Sequence, residues 1–160
     1  QKNEADLVFT LDSHIYNSEY MICAEREEAV HFIAAADHPI LARKALDLEM
    51  LCTEEFVLTE QDMSYRKLLD RELAARSMEV SPVLEIGNPL QICEIVKNSR
   101  LLSFLPDFIS QGYVQSGQLQ TLDVADCQVK VWTQLLIHKN KWRSSALSAF
   151  ISYYRNVMQE

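Results

Sequence analysis

The residues with the clearest chemical potential are Gly87, Asn88 and Pro89, which follow a short apolar run and precede a helical pattern. Asparagine is a preferred N-cap and proline is favoured in the first turn, so the triplet predicts a helix that begins here. The first N–H groups of a helix lack partners within it, and the helix dipole favours negative charge at that end. The triplet is therefore a candidate site for a carboxylate, although Asn caps also begin many helices that bind nothing.

The elements that must position this triplet are a strand before it and a helix and strand after it. Apolar runs predict the two strands at 83–86 and 101–105. Three residues between them recur at helical spacing: Ile92, Cys93 and Val96. Gln91 stands three residues after Asn88, as in a capping box. Pro106 is predicted to stop the second strand, because proline lacks the N–H that a ladder needs. The segment is thus predicted to be a βαβ unit.

The rest of the chain alternates strands with helices. Apolar patterns predict strands at 7–11, 20–36, 56–59, 119–124 and 128–138. Helical spacing predicts helices at 47–52 and 64–78, a loose helical stretch from Asp107, and a C-terminal helix with the clearest periodicity. The apolar positions of that last helix are Leu147, Phe150, Ile151, Tyr154, Val157 and Met158. This alternation predicts an α/β architecture with mostly parallel strands.

Several local details follow from the same patterns. The charges at 26–28 predict a turn or bulge inside the long strand 20–36. Asp62 or Ser64 is the expected cap of the helix at 64–78, and Ser144 or Ser145 is the expected cap of the last helix. The two tryptophans are expected to pack against the hinge or the terminal helix: Trp132 and Trp142.

Other reactive residues do not form recognisable sites. The histidines, His14, His31, His38 and His138, lack metal-ligand spacing, and His31 alternates with apolar residues as a core or hinge histidine would. Cys93 lies near a predicted helix N-terminus, which would favour its thiolate, but its apolar neighbours favour an inert buried thiol. Glu25, Glu27 and Glu28 are better explained by a charged turn than by an acid–base pair. No nucleophile elbow, P-loop or dinucleotide fingerprint is present, so we predict neither an enzyme nor a cofactor.

Composition narrows the class of partner and the compartment. The net charge of -8 and the absence of a Lys/Arg cluster argue against DNA binding by these 160 residues. The four cysteines have no CxxC pairing, which favours the reducing cytoplasm. No apolar run approaches the roughly 20 residues of a membrane-spanning helix, so no membrane partner is predicted.

The chain resembles the effector-binding domains of LysR-type transcriptional regulators over nearly its whole length. The matching segments, in chain order, are EADLVFT with its acidic Asp6, VHFIAAADHPIL with Ile40 after the His-Pro pair, LEMLCTEEFVLTE, IVKNSRLLSFLP, SGQLQTLDV and SSALSAFISYYR. The chain departs from the family at Ser99, Arg100 and Leu101, where members usually carry Gly-x-Gly. The resemblance implies that the family's first βαβα stretch and its helix-turn-helix DNA-binding domain lie outside these residues.

The fold implied by the resemblance is an α/β, two-lobed, type 2 periplasmic-binding-protein-like domain, with one lobe complete and the other partial. Residues 37–127 would form the complete lobe, and residues 1–36 and 128–160 would be parts of the other. A small molecule would bind between the lobes. The ligand-binding positions that this implies are Thr10, Thr59, Glu60, Gln61, Gly87, Asn88, Pro89 and Phe104. Glu60 and Asp62 would oppose an anion, so an amine-bearing or neutral effector is conceivable.

The function implied is effector sensing that controls transcription. The effector would shift the conformation of a homodimer or homotetramer, and DNA would be bound only through the separate N-terminal domain. Two alternatives stay open: a solute-binding protein of a transporter, which shares the lobed fold, and a small α/β enzyme, for which no nucleophile or base pair is recognisable.

Overall fold

The structure is a computed structural model that describes residues 7–140 and 144–159. Asp6, Trp142 and the side chain of Met158, about which the sequence made predictions, lie outside what is described. The strands are β1 (Val8–Asp12), β2 (Tyr20–Ala35), β3 (Val57–Leu58), β4 (Leu84–Glu85), β5 (Ser103–Pro106), β6 (Leu119–Leu122) and β7 (Val129–His138). The α-helices are α1 (Leu48–Leu51), α2 (Ser64–Ala74), α3 (Pro89–Lys97), α4 (Asp107–Gln115) and α5 (Ser145–Gln159), and a 3₁₀ helix spans Pro39–Ala42.

The chain divides into two compact units. Unit 1 comprises the described parts of Gln1–Glu28 and Val131–Glu160, and unit 2 comprises Ala29–Lys130. The chain passes from unit 1 to unit 2 within β2 and returns near the start of β7. The lobe boundaries expected from the sequence lie at 36/37 and 127/128.

Unit 1 is built on the antiparallel pair β1 and β7, in which Val8 lies opposite Leu136. Its buried core consists of Cys23, Leu135, Ile137 and Ile151. Helix α5 begins as predicted, because the Ser144 hydroxyl accepts a hydrogen bond from the Leu147 N–H at 3.1 Å. The predicted apolar face of α5 is only partly buried: Phe150 and Val157 are 47% and 43% exposed. The regular spacing predicted helix position correctly but overestimated the width of the buried stripe.

Unit 2 combines two kinds of strand pairing. The second half of β2 is antiparallel to both β5 and β6, whereas β3 and β4 form a separate parallel pair. The prediction of mostly parallel strands is therefore wrong for the described ladders. A helical crossover imposes parallel pairing on the strands that it joins, as α2 does for β3 and β4. Because β2 is not part of that β3-α2-β4 connection, no crossover fixes its direction. The core of this unit includes Phe32, Phe56 and Phe104.

The strand β2 runs through the charged residues at 26–28 without the predicted turn. Arg26 and Glu28 lie on the same face of the strand, and the Arg26 Nε donates to the Glu28 carboxylate at 2.6 Å. The Thr133 hydroxyl donates to the same carboxylate at 3.3 Å. Because these charges are satisfied within the sheet, the strand has no need to break.

Two predicted boundaries also differ from the structure. Helix α2 follows Met63, which makes no side-chain capping bond, so neither Asp62 nor Ser64 is the N-cap. β5 does end at Pro106, but the proline is itself the last residue of the strand, opposite Val30, rather than the first residue after it. Helix α4 begins at the next residue, so the N–H that proline lacks is not needed to continue a ladder.

Candidate functional site

The ends of β3 and β4 bring two groups of predicted site residues together in unit 2. In this parallel pair Leu58 lies opposite Glu85, and the Ile86 N–H donates to the Leu58 carbonyl at 3.0 Å. Parallel strands end at the same edge of a sheet, which is where α/β folds place ligands. Residues 59–61 leave β3 and residues 87–89 leave β4 at that edge. The pairing therefore makes these segments neighbours.

Glu60 lies against the backbone of Gly87. A Cβ atom built on Gly87 would lie 3.3 Å from the Glu60 Oε1, which is closer than most Cβ contacts. The Glu60 side chain is exposed and sits beside the start of α3. The corner for which the sequence predicts an anion site thus already carries a carboxylate. A second anion there would be repelled, whereas a cation or hydrogen-bond donor would be attracted.

The start of α3 is capped, but not by the predicted capping box. The Asn88 Oδ1 accepts a hydrogen bond from the Leu90 N–H at 3.0 Å, and Pro89 has no N–H to satisfy. The Ile92 N–H donates to the Asn88 carbonyl at 3.3 Å. Among the described residues, Gln91 makes no reciprocal bond to Asn88 and its N–H has no partner. Fewer N–H groups are therefore open to a ligand than the sequence suggests.

Thr59 and Gln61 lie in different environments. Thr59 is only 1% exposed, and its side chain hydrogen-bonds Tyr65. Burial raises the pKa of the Tyr65 phenol, and the bond to Thr59 acts in the opposite direction. Gln61 is exposed and lines a cavity of about 510 Å³ between α2 and residues 78–85. Gln61 thus offers an accessible amide, while the Thr59 hydroxyl is already engaged.

Arg66 is a prominent polar residue of this region that was not predicted from the sequence. Its side chain is 4% exposed, and its Nη1 donates to the Thr59 carbonyl at 2.8 Å. The sequence does contain a hint of this, because Arg66 precedes Leu69 by three positions and Leu73 by seven. A cation at that spacing falls on the apolar face of α2 and must find partners there.

Two other predicted site residues have their own surroundings. Phe104 is 2% exposed, and its ring centroid lies 4.7 Å from that of Phe32, so it belongs to the core of unit 2. Thr10 belongs to unit 1, where its hydroxyl lies 3.5 Å from the Gln134 carbonyl.

Cys93 and His31 occupy structural positions. Cys93 is fully buried, and burial raises the pKa of its thiol to about 11. His31 is partly exposed rather than buried in a core, and its Nδ1 lies 2.7 Å from the Asp107 carboxylate. Within residues 7–140 and 144–159, no group of three His, Cys, Asp or Glu side chains could hold a metal ion. None of the helices in that part of the chain has the length and apolarity that crossing a membrane demands.

Comparison with known proteins gives a consistent family. The family model described as LysR substrate binding domain matches residues 1–159. The HTH-type transcriptional regulator YwqM of Bacillus subtilis, itself uncharacterized, is 28% identical over 159 residues, which are 99% of this chain and 53% of the regulator. This chain thus spans about half the length of that relative.

Solved structures show the same fold. The regulatory domain of CcmR from Synechocystis PCC6803, in complex with 2-PG, superposes with a TM-score of 0.80 at 20% identity, over 99% of this chain and 76% of that one. The effector binding domain of QuiR in complex with shikimate gives a TM-score of 0.74 at 15% identity, over 96% of this chain and 72% of that one. These likenesses confirm the predicted α/β, type 2 periplasmic-binding-protein-like fold class. Because the family model covers nearly every residue, the chain belongs to the LysR substrate-binding domain family.

Proposed function

We propose that this chain is the effector-sensing part of a LysR-type transcriptional regulator. The observation that carries the proposal is the match of the family model to residues 1–159. In unit 2 the parallel strands β3 and β4 end at one edge, where the exposed side chain of Glu60 lies against Gly87. The solved relatives in complex with 2-PG and shikimate are regulatory domains of this fold, which supports a small-molecule effector here.

The site residues that we propose are those of this edge. Glu60, Gln61, Gly87, Asn88 and Pro89 would contact the effector. Thr59 would stabilise this edge through its bond to Tyr65 and would not contact the effector. Thr10 would contribute from the partial lobe, formed by 1–36 and 128–160, whereas 37–127 would form the complete lobe. Phe104 would support the site from the core and not touch the effector.

The effector that fits this edge carries a positive charge or a hydrogen-bond donor at one end. The Glu60 carboxylate lies at the start of α3 and, among the described residues, makes no ion pair. An ammonium group placed there would gain a charge-assisted hydrogen bond. A carboxylate at the other end of the same molecule could still accept from the Gln91 N–H. An amino acid or a similar amine-bearing metabolite therefore suits the site better than a simple anion.

The mechanism that we propose is a shift between conformations. An effector that binds one arrangement of the two lobes more tightly increases the population of that arrangement. A coupling of about 1 to 3 kcal/mol is typical of such regulation. The regulator would act in the cytoplasm as a homodimer or homotetramer, and would contact DNA through its helix-turn-helix domain.

A ligand screen tests this proposal. We would measure thermal shifts of this chain with 2-PG, shikimate, the common amino acids and the hydroxy acids that match them. A true effector at 100 times its Kd stabilises the folded state by about 2.7 kcal/mol, which raises the melting temperature by several degrees. The amides of residues 87–91 should shift in NMR spectra on titration. Absence of any binder, or shifts confined to other residues, would contradict the proposed site.

The matched control for the effector chemistry is Glu60→Gln, which keeps the shape and removes the charge. We expect it to weaken binding of an amino acid about tenfold and to leave binding of the corresponding hydroxy acid within about twofold. Equal effects on both compounds would show that Glu60 does not recognise the ammonium group.

A further inference from the structure

Arg66 is a guanidinium group in the interior of unit 2. Its side chain is 4% exposed, on the face of α2 that also buries Leu69 and Leu73. Removing a charge from water is unfavourable unless the protein supplies partners of good geometry. A buried arginine is therefore informative about what it holds, because its partners must compensate for the lost hydration.

The partners of Arg66 come from three segments of unit 2. Its Nη1 donates to the Thr59 carbonyl at 2.8 Å and to the Glu85 carboxylate at 3.3 Å. Its Nε donates to the Asp70 carboxylate, one turn further along α2, at 2.9 Å. Thr59 is the first residue after β3, and Glu85 is the last residue of β4. One guanidinium thus bridges the ends of two neighbouring strands and ties both to α2.

We infer that Arg66 is the positioning residue of the proposed effector site, and this inference rests on the proposed function. The bridge joins Thr59 to Glu85, and these residues lie at the ends of the strands that lead into the two site segments, 59–61 and 87–89. β3 and β4 are only two residues long, so few ladder hydrogen bonds hold those segments together. The planar fork of arginine can satisfy several acceptors in fixed directions, whereas lysine offers a single charge on a flexible chain. Arg66 therefore sets the spacing of the two segments to which an effector would bind.

The test measures local order without any ligand. We would compare amide hydrogen exchange of the whole 160-residue chain with that of Arg66→Met, Arg66→Lys and Asp70→Asn. Arg66→Met should speed exchange of the 86–91 amides about tenfold, while amides in β5 and β6 stay within about twofold. Asp70→Asn, which leaves both Nη1 bonds in place, is the matched control and should keep the wild-type pattern. Arg66→Lys should fold and give an intermediate rate, and it decides the question if the Met variant does not fold.

The outcomes separate the positioning role from a general structural role and from the proposed function. Uniform acceleration across β5, β6 and residues 86–91 would show that Arg66 only stabilises unit 2, and would overturn the inference. Unchanged exchange in Arg66→Met or Arg66→Lys would do the same. For any compound that binds the wild type, the Arg66→Lys variant should bind about tenfold more weakly and Asp70→Asn equally well. Local acceleration with no binder in the screen would support positioning by Arg66 while counting against the effector site.

Discussion

Replacement of Asn88 tests how the start of α3 is stabilised. The Asn88 Oδ1 accepts the Leu90 N–H at 3.0 Å, and Pro89 leaves no other donor in the first turn before Leu90. Asn88→Ala removes this acceptor and leaves the Leu90 N–H to water. Loss of an N-cap costs about 1 kcal/mol, within a range of about 0.5 to 2 kcal/mol. In a protein of this size we therefore expect the melting temperature to fall by about 2–4 °C.

A matched substitution separates the capping bond from the identity of the residue. Asn88→Asp retains an acceptor oxygen and adds a negative charge at the helix N-terminus, which is favourable by about 0.3–1 kcal/mol. The Glu60 carboxylate beside Gly87 opposes part of that gain. We therefore expect the Asp variant to melt close to the wild-type temperature.

The local assay is hydrogen exchange of the Leu90 amide. Because about 1 kcal/mol corresponds to a factor of about 5 in an equilibrium, exchange should accelerate about fivefold in Asn88→Ala and remain unchanged in Asn88→Asp. The reasoning fails if the Ala variant keeps the wild-type melting temperature and Leu90 protection. It also fails if the Asp variant loses as much as the Ala variant, because an acceptor at residue 88 would then carry no free energy.

Four further substitutions test the interior. Ser103→Ala should raise the free energy of unfolding by about 1 kcal/mol in urea denaturation, because the Ser103 hydroxyl is fully buried without a partner. Ser110→Ala should lower the free energy of unfolding by a similar amount, because the buried Ser110 hydroxyl donates to the Asp107 carbonyl at 3.4 Å. Phe104→Ala should cost about 3–5 kcal/mol if its ring fills the core as observed, and a loss below about 1 kcal/mol in the same urea assay would contradict that placement. Burial raises the pKa of Cys93 from 9.0 to about 11. The contribution of the neutral Cys93 thiol to the free energy of unfolding is therefore complete below about pH 9 and is lost as the pH rises toward 11. The urea midpoint should fall over that window, and less so in Cys93→Ala.

The local order of elements was predictable because it depends on short-range signals. The residues Gly87, Asn88 and Pro89 predicted the start of α3 correctly, since a cap and a first-turn proline act through their own backbone neighbours. The charges at 26–28 predicted a turn wrongly, because the Thr133 hydroxyl that donates to the Glu28 carboxylate lies more than 100 positions away in the sequence. A charge looks like a turn signal until its long-range partner is known.

The candidate site was predictable only in part, for a similar reason. That residues 59–61 and 87–89 both follow strands could be inferred from apolar runs, but their contact depends on the parallel register of β3 and β4. The contact of Glu60 with Gly87 and the bridge made by Arg66 depend on tertiary structure, so the sequence alone does not reveal them. Helical spacing placed Arg66 on an apolar face, yet only the structure identifies the acceptors that it finds there.

The pairing of β1 with β7 has a consequence for how the protein is made. Val8 lies opposite Leu136, so the first strand of unit 1 finds its partner only after more than 120 further residues have been synthesised. Unit 2 is one continuous segment, and all of it leaves the ribosome before that partner does. Closing so long a loop is cheaper once the intervening chain is already compact. Synthesis from the N-terminus therefore favours folding of unit 2 before β1 and β7 pair.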